Sequence, residues 1–346
     1  MRRIIGLVGV LLIVGSLGYL FIGRAPYVID QPGPTFNVLG ETGGKPVITI
    51  HDATTYPVSG DLDALTVQEI GQPGDEPTWF QVWQASMDAS KAVVPIDQAY
   101  PPGVKSSQVY AEDAAMMLAS QQDAQAAAMN YLGIKYTSRV YVVSMMTDSA
   151  ATGIIAPGDY INSVNGLAVS DADLLRERVH AWDQKSPLKV GITHKGVSKV
   201  VEVTPKAVKG QFYIGVYVDY KYEFPFKIDV NLGDVGGPSA GTMFAVGMID
   251  KLTPGQLLAK NHVAGTGTIN PKGEVGPIGG IVQKMYAARG AGATVFLAPT
   301  DNCAETVGKV PSGLKVYRIP TLKTAVDILT ALQNKSSLSG FATCSK

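Results

Sequence analysis

"VGGPSAGTMFAVG", residues 235–247, sets one Ser among small residues, Gly237-Pro238-Ser239-Ala240-Gly241, just ahead of an apolar run. The stretch "PSAGTMFAVGMIDKL" predicts a helix with Pro238 in its first turn, where a missing N–H leaves no bond unmade. Two readings compete for Ser239. It caps a buried helix, as Ser commonly does. Or it is a nucleophile, and a neighbouring base must take its proton.

The sequence limits which base that is. Gly237-x-Ser239-x-Gly241 matches G-x-S-x-G, but that elbow needs an acid and then a His further on. The only later His is His262, too close to leave room for both. A trypsin-like enzyme would need a G-D-S-G-G type segment, which is absent. None of His51, His180, His194 and His262 lies in H-E-x-x-H, so no metal site is expected. A Lys base remains. Its reference pKa of about 10.4 must fall, which burial away from carboxylates achieves. "PIGGIVQKMYAA" places Lys284 on a helix whose neighbours one turn back, Gly280 and Ile281, are not acids.

With both segments in view, residues 230–300 resemble the proteolytic domain of Lon-type serine peptidases. The likeness rests on Gly237-Pro238-Ser239-Ala240-Gly241, on Pro277-Ile278-Gly279-Gly280-Ile281-Val282-Gln283-Lys284, and on the strand–turn–strand "GTGTINPKGEVGPIGG" between them, with Gly273 in its turn. The resemblance implies a Ser239–Lys284 dyad, with Thr266 orienting it. Backbone N–H groups around Gly236, Gly237, Pro238 and Ala240 would hold the oxyanion and the substrate backbone. The family commonly has an Asp three residues before the Ser. Here that position is Gly236, and Asp234 stands two further back, so that Asp's role is not carried over.

Ahead of this region, residues 128–206 run strand, turn, helix "DADLLRERVHAW", then strands "LKVGITH" and "KVVEVTP". With Gly158-Asp159, Ile161 and Val164-Asn165-Gly166, the order resembles a PDZ domain of bacterial proteases. That implies a groove taking an extended peptide as an added strand. "YLGI", Tyr131, Leu132, Gly133 and Ile134, is the expected carboxylate-holding loop. The competing reading fills the groove with the protein's own chain.

The remaining features set the boundaries. Uncharged residues from Ile4 to Gly23 match a bilayer core in length, and Arg2 and Arg3 precede them. Residues 1–24 are expected to be a single-pass anchor, a cleaved signal being the alternative. The bulk of the chain would then lie outside the cytoplasm. Residues 25–127 carry short strand-like runs and a long helix, "SSQVYAEDAAMMLASQQDAQAAAMNYLG", with no legible chemistry. Residues 207–335 form the expected protease domain and 336–346 a tail. Cys303 and Cys344 are expected to pair in an oxidising compartment, unpaired thiols being the alternative.

Twenty-nine basic and 29 acidic residues balance, so composition suggests no nucleic-acid partner. There is no G-x-x-x-x-G-K-[ST] segment to bind ATP. The expected fold is an α/β (α+β) Lon-type domain preceded by a PDZ-like β-rich domain and one transmembrane helix. The expected function is ATP-independent cleavage of unfolded or extended membrane or secreted proteins, with no cofactor. A homo-oligomer is implied only by the family. A silent PDZ scaffold, or a tail-processing Ser–Lys protease of another fold, stays open.

Overall fold

The structure is a computed structural model; it describes residues 7, 14–15, 18–233 and 235–344. The expected anchor falls mostly on residues outside that set. Among the described residues, no helix is long and apolar enough to cross a membrane.

The chain divides into two units. One takes residues 1–134 together with 226–346, and the other takes 135–225. This departs from the expected boundaries in two ways. Residues 25–127 are not a region of their own but belong, with 226–346, to the first unit. The second unit runs past 206 to include strand Val216–Glu223, which the sequence reading gave to the protease domain.

The first unit is built on a six-stranded sheet ordered Lys315–Ile319, Val295–Pro299, His262–Gly265, Asp61–Ile70, Tyr27–Asn37, Ala92–Pro95. The first four strands run parallel. Tyr27–Asn37 is antiparallel to both of its neighbours. Side chains alternate between the faces of a strand, so each strand feeds two cores. Leu62, Ala64, Val263 and Leu297 join the core beneath helices Gly241–Leu252 and Leu322–Gln333. Leu65, Ala264, Phe296 and Ala298 join the core beneath helix Ile281–Ala291. "VFLAP" is buried throughout, as an inner parallel strand covered on both faces should be.

The long helix Ser106–Leu132 is buried mainly between Met117 and Met129, where it packs on helix Gly241–Leu252. It ends at Gly133, in the left-handed conformation. Gly133 N–H donates to Asn130 O (3.2 Å) and Ile134 N–H to Met129 O (2.9 Å). These bonds close the last helical turn. The "YLGI" expectation is therefore corrected. Tyr131 and Leu132 are helical, and the Gly133 and Ile134 amides are already engaged.

The second unit is a sheet ordered Val197–Val203, Leu188–His194, Tyr160–Val164, Thr137–Met145, Val216–Glu223, with helix Ala172–His180. Val140, Ile161, Leu175, Val190 and Ile192 form its own core. Val216–Glu223 pairs along the whole of Thr137–Met145. The strand after "YLGI" thus has the chain's own strand Val216–Glu223 on that edge.

Candidate active site

Three segments meet at Ser239. Helix Gly241–Leu252 starts two residues after it, and its N-cap, Ala240, makes no side-chain cap bond. Pro238 and Ser239 thus precede the helix and are not part of its first turn, as the sequence had suggested. The Ser239 hydroxyl does not cap. Lys284 Nζ lies 2.7 Å from Ser239 Oγ.

The Ser239 backbone is held by the segment after strand His262–Gly265. Ser239 O accepts from Gly267 N–H at 2.8 Å and from the Thr266 hydroxyl at 3.0 Å. Gly267 O in turn accepts from Thr242 N–H at 3.0 Å. These bonds stop the helix one turn short of Pro238. The predicted strand–turn–strand follows as Thr268–Ile269 paired with Val275–Gly276, with Gly273 in the turn at φ +80°.

Lys284 arrives from the other face of the sheet edge. Its helix, Ile281–Ala291, begins at Gly280 in the left-handed conformation. A Cβ on Gly280 would lie 2.5 Å from Val67 Cγ2, so both the turn and the contact call for Gly. Lys284 is 3% exposed, and among the described residues no carboxylate is paired with it. Burial drops its pKa from the usual 10.5 to about 8, because removing water penalises the charged form. Thr266, fully buried, places its hydroxyl 3.4 Å from Lys284 Nζ. One hydroxyl thus touches the amine and the Ser239 carbonyl together.

Ala240 is buried and Ser239 half-buried. Among the described residues, neither backbone N–H meets a protein acceptor. Both stand ahead of a helix N-terminus, where the backbone favours negative charge. Gly237 N–H is already used, donating to Asp113 O at 2.9 Å. Gly236 lies against the same residue, and a Cβ there would come within 2.8 Å of Asp113 Cβ. The close approach expected at these glycines is made by the protein's own long helix.

That helix is what the sequence reading missed. Asp113 and Ser120 lie on one helical face, at i and i+7. Ser120 Oγ donates to Pro238 O at 2.9 Å. The stripe Asp113, Met117, Ser120, Ala124 was the available signal. Asn302 was missed too. Its side chain accepts from Ile278 N–H and donates to Ile278 O, both at 2.9 Å, and so fixes the approach to Lys284. Cys303, the next residue, is disulfide-bonded to Cys344.

Ser239 opens to two cavities. One, of about 1250 Å³, runs between strand Asp61–Ile70 and helix Ser106–Leu132 and includes Lys284. The other, about 380 Å³, is walled by Thr268, Pro277, Ile278 and Gly279. Strand Asp61–Ile70 pairs with His262–Gly265 only as far as Ala64. Leu65 to Glu69 then line the larger cavity. No histidine lines either cavity.

Residues 224–332 match the family model described as the Lon protease (S16) C-terminal proteolytic domain. Lon protease 1 of Bacillus subtilis (strain 168) is 37% identical over 91 residues, 26% of this chain and 12% of that protein. Lon protease 3 of Sorangium cellulosum (strain So ce56) is 27% identical over 180 residues, 49% of this chain and 21% of that protein. The chain spans about a fifth or less of the length of these relatives. The PDZ domain of the SdrC-like protein from Listeria monocytogenes aligns with 23% of this chain and 85% of its own, at 23% identity and a TM-score of 0.22. The C-terminal part of the chain is thus similar to the proteolytic domain of the Lon serine peptidases.

Proposed function

We propose that this chain is a serine endopeptidase working through a Ser239–Lys284 dyad, without ATP or metal. One observation carries the reading: Lys284 Nζ sits 2.7 Å from Ser239 Oγ while buried and, among the described residues, paired with no carboxylate. A buried amine with a pKa of about 8 is partly neutral near physiological pH, and only the neutral form accepts a proton.

Neutral Lys284 takes the Ser239 hydroxyl proton as Oγ attacks a peptide carbonyl. The oxyanion settles against the Ser239 and Ala240 N–H groups. Protonated Lys284 gives its proton to the leaving amine, and the acyl-enzyme forms. Water, activated by the neutral amine, then releases the acyl group. Thr266 keeps Lys284 and the Ser239 backbone in register.

The two cavities suit the two sides of a scissile bond. The uncovered edge at Leu65–Glu69 offers backbone groups to an extended chain, so substrates are unfolded or extended segments. Residues 1–24 anchor the chain in a membrane, with the bulk on the extracytoplasmic side, and substrates are membrane or secreted proteins. The 135–225 unit is a PDZ-like domain that selects them. Its peptide enters elsewhere than along Thr137–Met145. The test is cleavage of unstructured peptides by the full-length chain in detergent, without ATP and with chelator present. Loss in Ser239→Ala is expected. Chelator inhibition, or cleavage that persists in Ser239→Ala, would end the proposal.

A further inference from the structure

One exposed apolar face takes no part in the lining of the Ser239 cavities. Helix Trp79–Ser86 carries Phe80 and Trp83, with Met87 as its C-cap, at i, i+3 and i+7, hence on one side. Trp83 is 58% exposed and Met87 75%. Phe21 stacks on Phe80 with ring centroids 4.6 Å apart, and Phe80 lies 5.7 Å from Trp83. Ile22 extends the patch and is 79% exposed. The opposite side of the helix is packed, with Ala85 buried; Trp79, at the edge of the patch, meets Tyr27 edge-on at 6.1 Å. A grouped aromatic patch of this kind marks a binding surface.

Its position decides the occupant. Trp79 N–H donates to Gly23 O at 3.2 Å, and Ala25 N–H donates to Pro77 O at 2.8 Å. The start of the helix is therefore tied to the last residue of the uncharged run Ile4–Gly23. Twenty helical residues rise about 30 Å, the thickness of a bilayer's hydrocarbon core. If the run spans, Gly23 lies at its boundary, and helix Trp79–Ser86 lies at the same level. Arg24, 3.5 Å from Asp75, sits where headgroups would be.

We infer that Phe21, Ile22, Phe80, Trp83 and Met87 lie in the headgroup–acyl boundary of the bilayer that residues 4–23 cross. Trp favours that depth because its ring is apolar and its N–H is polar. Five residues are too few for a stable protein interface, which engages about 20–30 on each side. The inference rests on the anchoring reading above. It has a consequence for the dyad. Gly71, Gln72 and Asp75 line one end of the larger cavity, only a few residues ahead of this helix. That end of the cleft therefore opens at the membrane surface, and the favoured substrates are segments just outside a bilayer.

The test uses the full-length chain carrying Trp79→Phe and Trp182→Phe, which leaves Trp83 as its one Trp. Circular dichroism and peptide cleavage check that the variant folds. It is reconstituted in phosphatidylcholine vesicles, and flotation reports whether it is anchored. Lipids brominated at shallow acyl positions should quench Trp83 emission more than deeply brominated ones, and aqueous iodide should quench it little. Three results overturn the inference. Iodide quenching without bromolipid quenching, in vesicles that float with protein, places the face in water and leaves the anchor standing. Protection from both quenchers that depends on protein density assigns the face to a second copy. Failure to float removes the anchoring reading and this inference with it.

Discussion

Two basic side chains in the first unit sit at the same separation from their partners in opposite surroundings. His262 Nε2 lies 2.7 Å from Asp63 Oδ2, inside the sheet. Lys284 Nζ lies 2.7 Å from Ser239 Oγ, at the sheet's rim. The His–Asp pair looks like two thirds of a catalytic triad, yet no hydroxyl is hydrogen-bonded to it among the described residues and neither residue lines the two cavities at Ser239. Asp63 is buried, which raises its pKa, while the hydrogen bond and charge of His262 work the other way. Among the described residues, Lys284 has no such partner. A carboxylate beside a cation keeps its proton in place; its absence lets burial free the amine to accept one. His51–Asp229 and His194–Asp159, at 2.9 and 2.5 Å, repeat the structural pattern.

The largest effect expected from breaking this contrast is on cleavage. Lys284→Ala and Ser239→Ala should each lower kcat/KM by about 10³-fold or more, and the double variant little further, because the pair acts as a unit. Peptide turnover in steady state checks this. Thr266→Val should lower kcat by about 10- to 100-fold with KM little changed, and Thr266→Ser should restore most of it. Equal loss in both variants would deny the hydroxyl its positioning role.

Stability should move in the reverse sense. Lys284 has a folded-state pKa of about 8 against 10.5 when exposed, so the unfolded chain binds more protons between those values. Wild-type stability therefore rises with pH through that window. Lys284→Met removes this term. At pH 7 it should raise stability by up to roughly 3 kcal/mol, with the gain gone above about pH 10.5. Denaturant titrations at both pH values read the difference. By contrast, His262→Ala should leave cleavage unchanged and cost roughly 1–3 kcal/mol, since Asp63 stays buried without its partner. Replacing both Cys303 and Cys344 by Ser should cost about 2–4 kcal/mol and leave peptide cleavage in place, because the bond closes a 41-residue separation away from Ser239.

The chemistry was more legible in the sequence than the architecture. Ser239 and Lys284 sit in short segments whose local spacing carries their meaning, and "TVFLAP" announces a buried strand by its composition. The long helix was legible as a helix but not as a wall of the site. Asp113 and Ser120 meet the Ser239 segment more than a hundred residues away in the chain, and no local pattern encodes that distance. The fate of residues 25–127 was hidden for the same reason. Tyr27–Asn37, Asp61–Ile70 and Ala92–Pro95 complete a sheet whose other three strands come after residue 260. "YLGI" misled because a left-handed Gly serves a helix end as readily as an anion loop. Val216–Glu223, assigned by the sequence to the protease domain, pairs instead with Thr137–Met145, the first strand of its own unit.

The dyad is tested most directly by the rate of peptide cleavage as a function of pH, for wild type and Lys284→Ala together. The wild-type kcat/KM should rise with pH through a midpoint near 8, where Lys284 loses its proton, with the variant inactive throughout. A wild-type profile flat across that range, or a Lys284→Ala enzyme that keeps its rate, would contradict a lysine base.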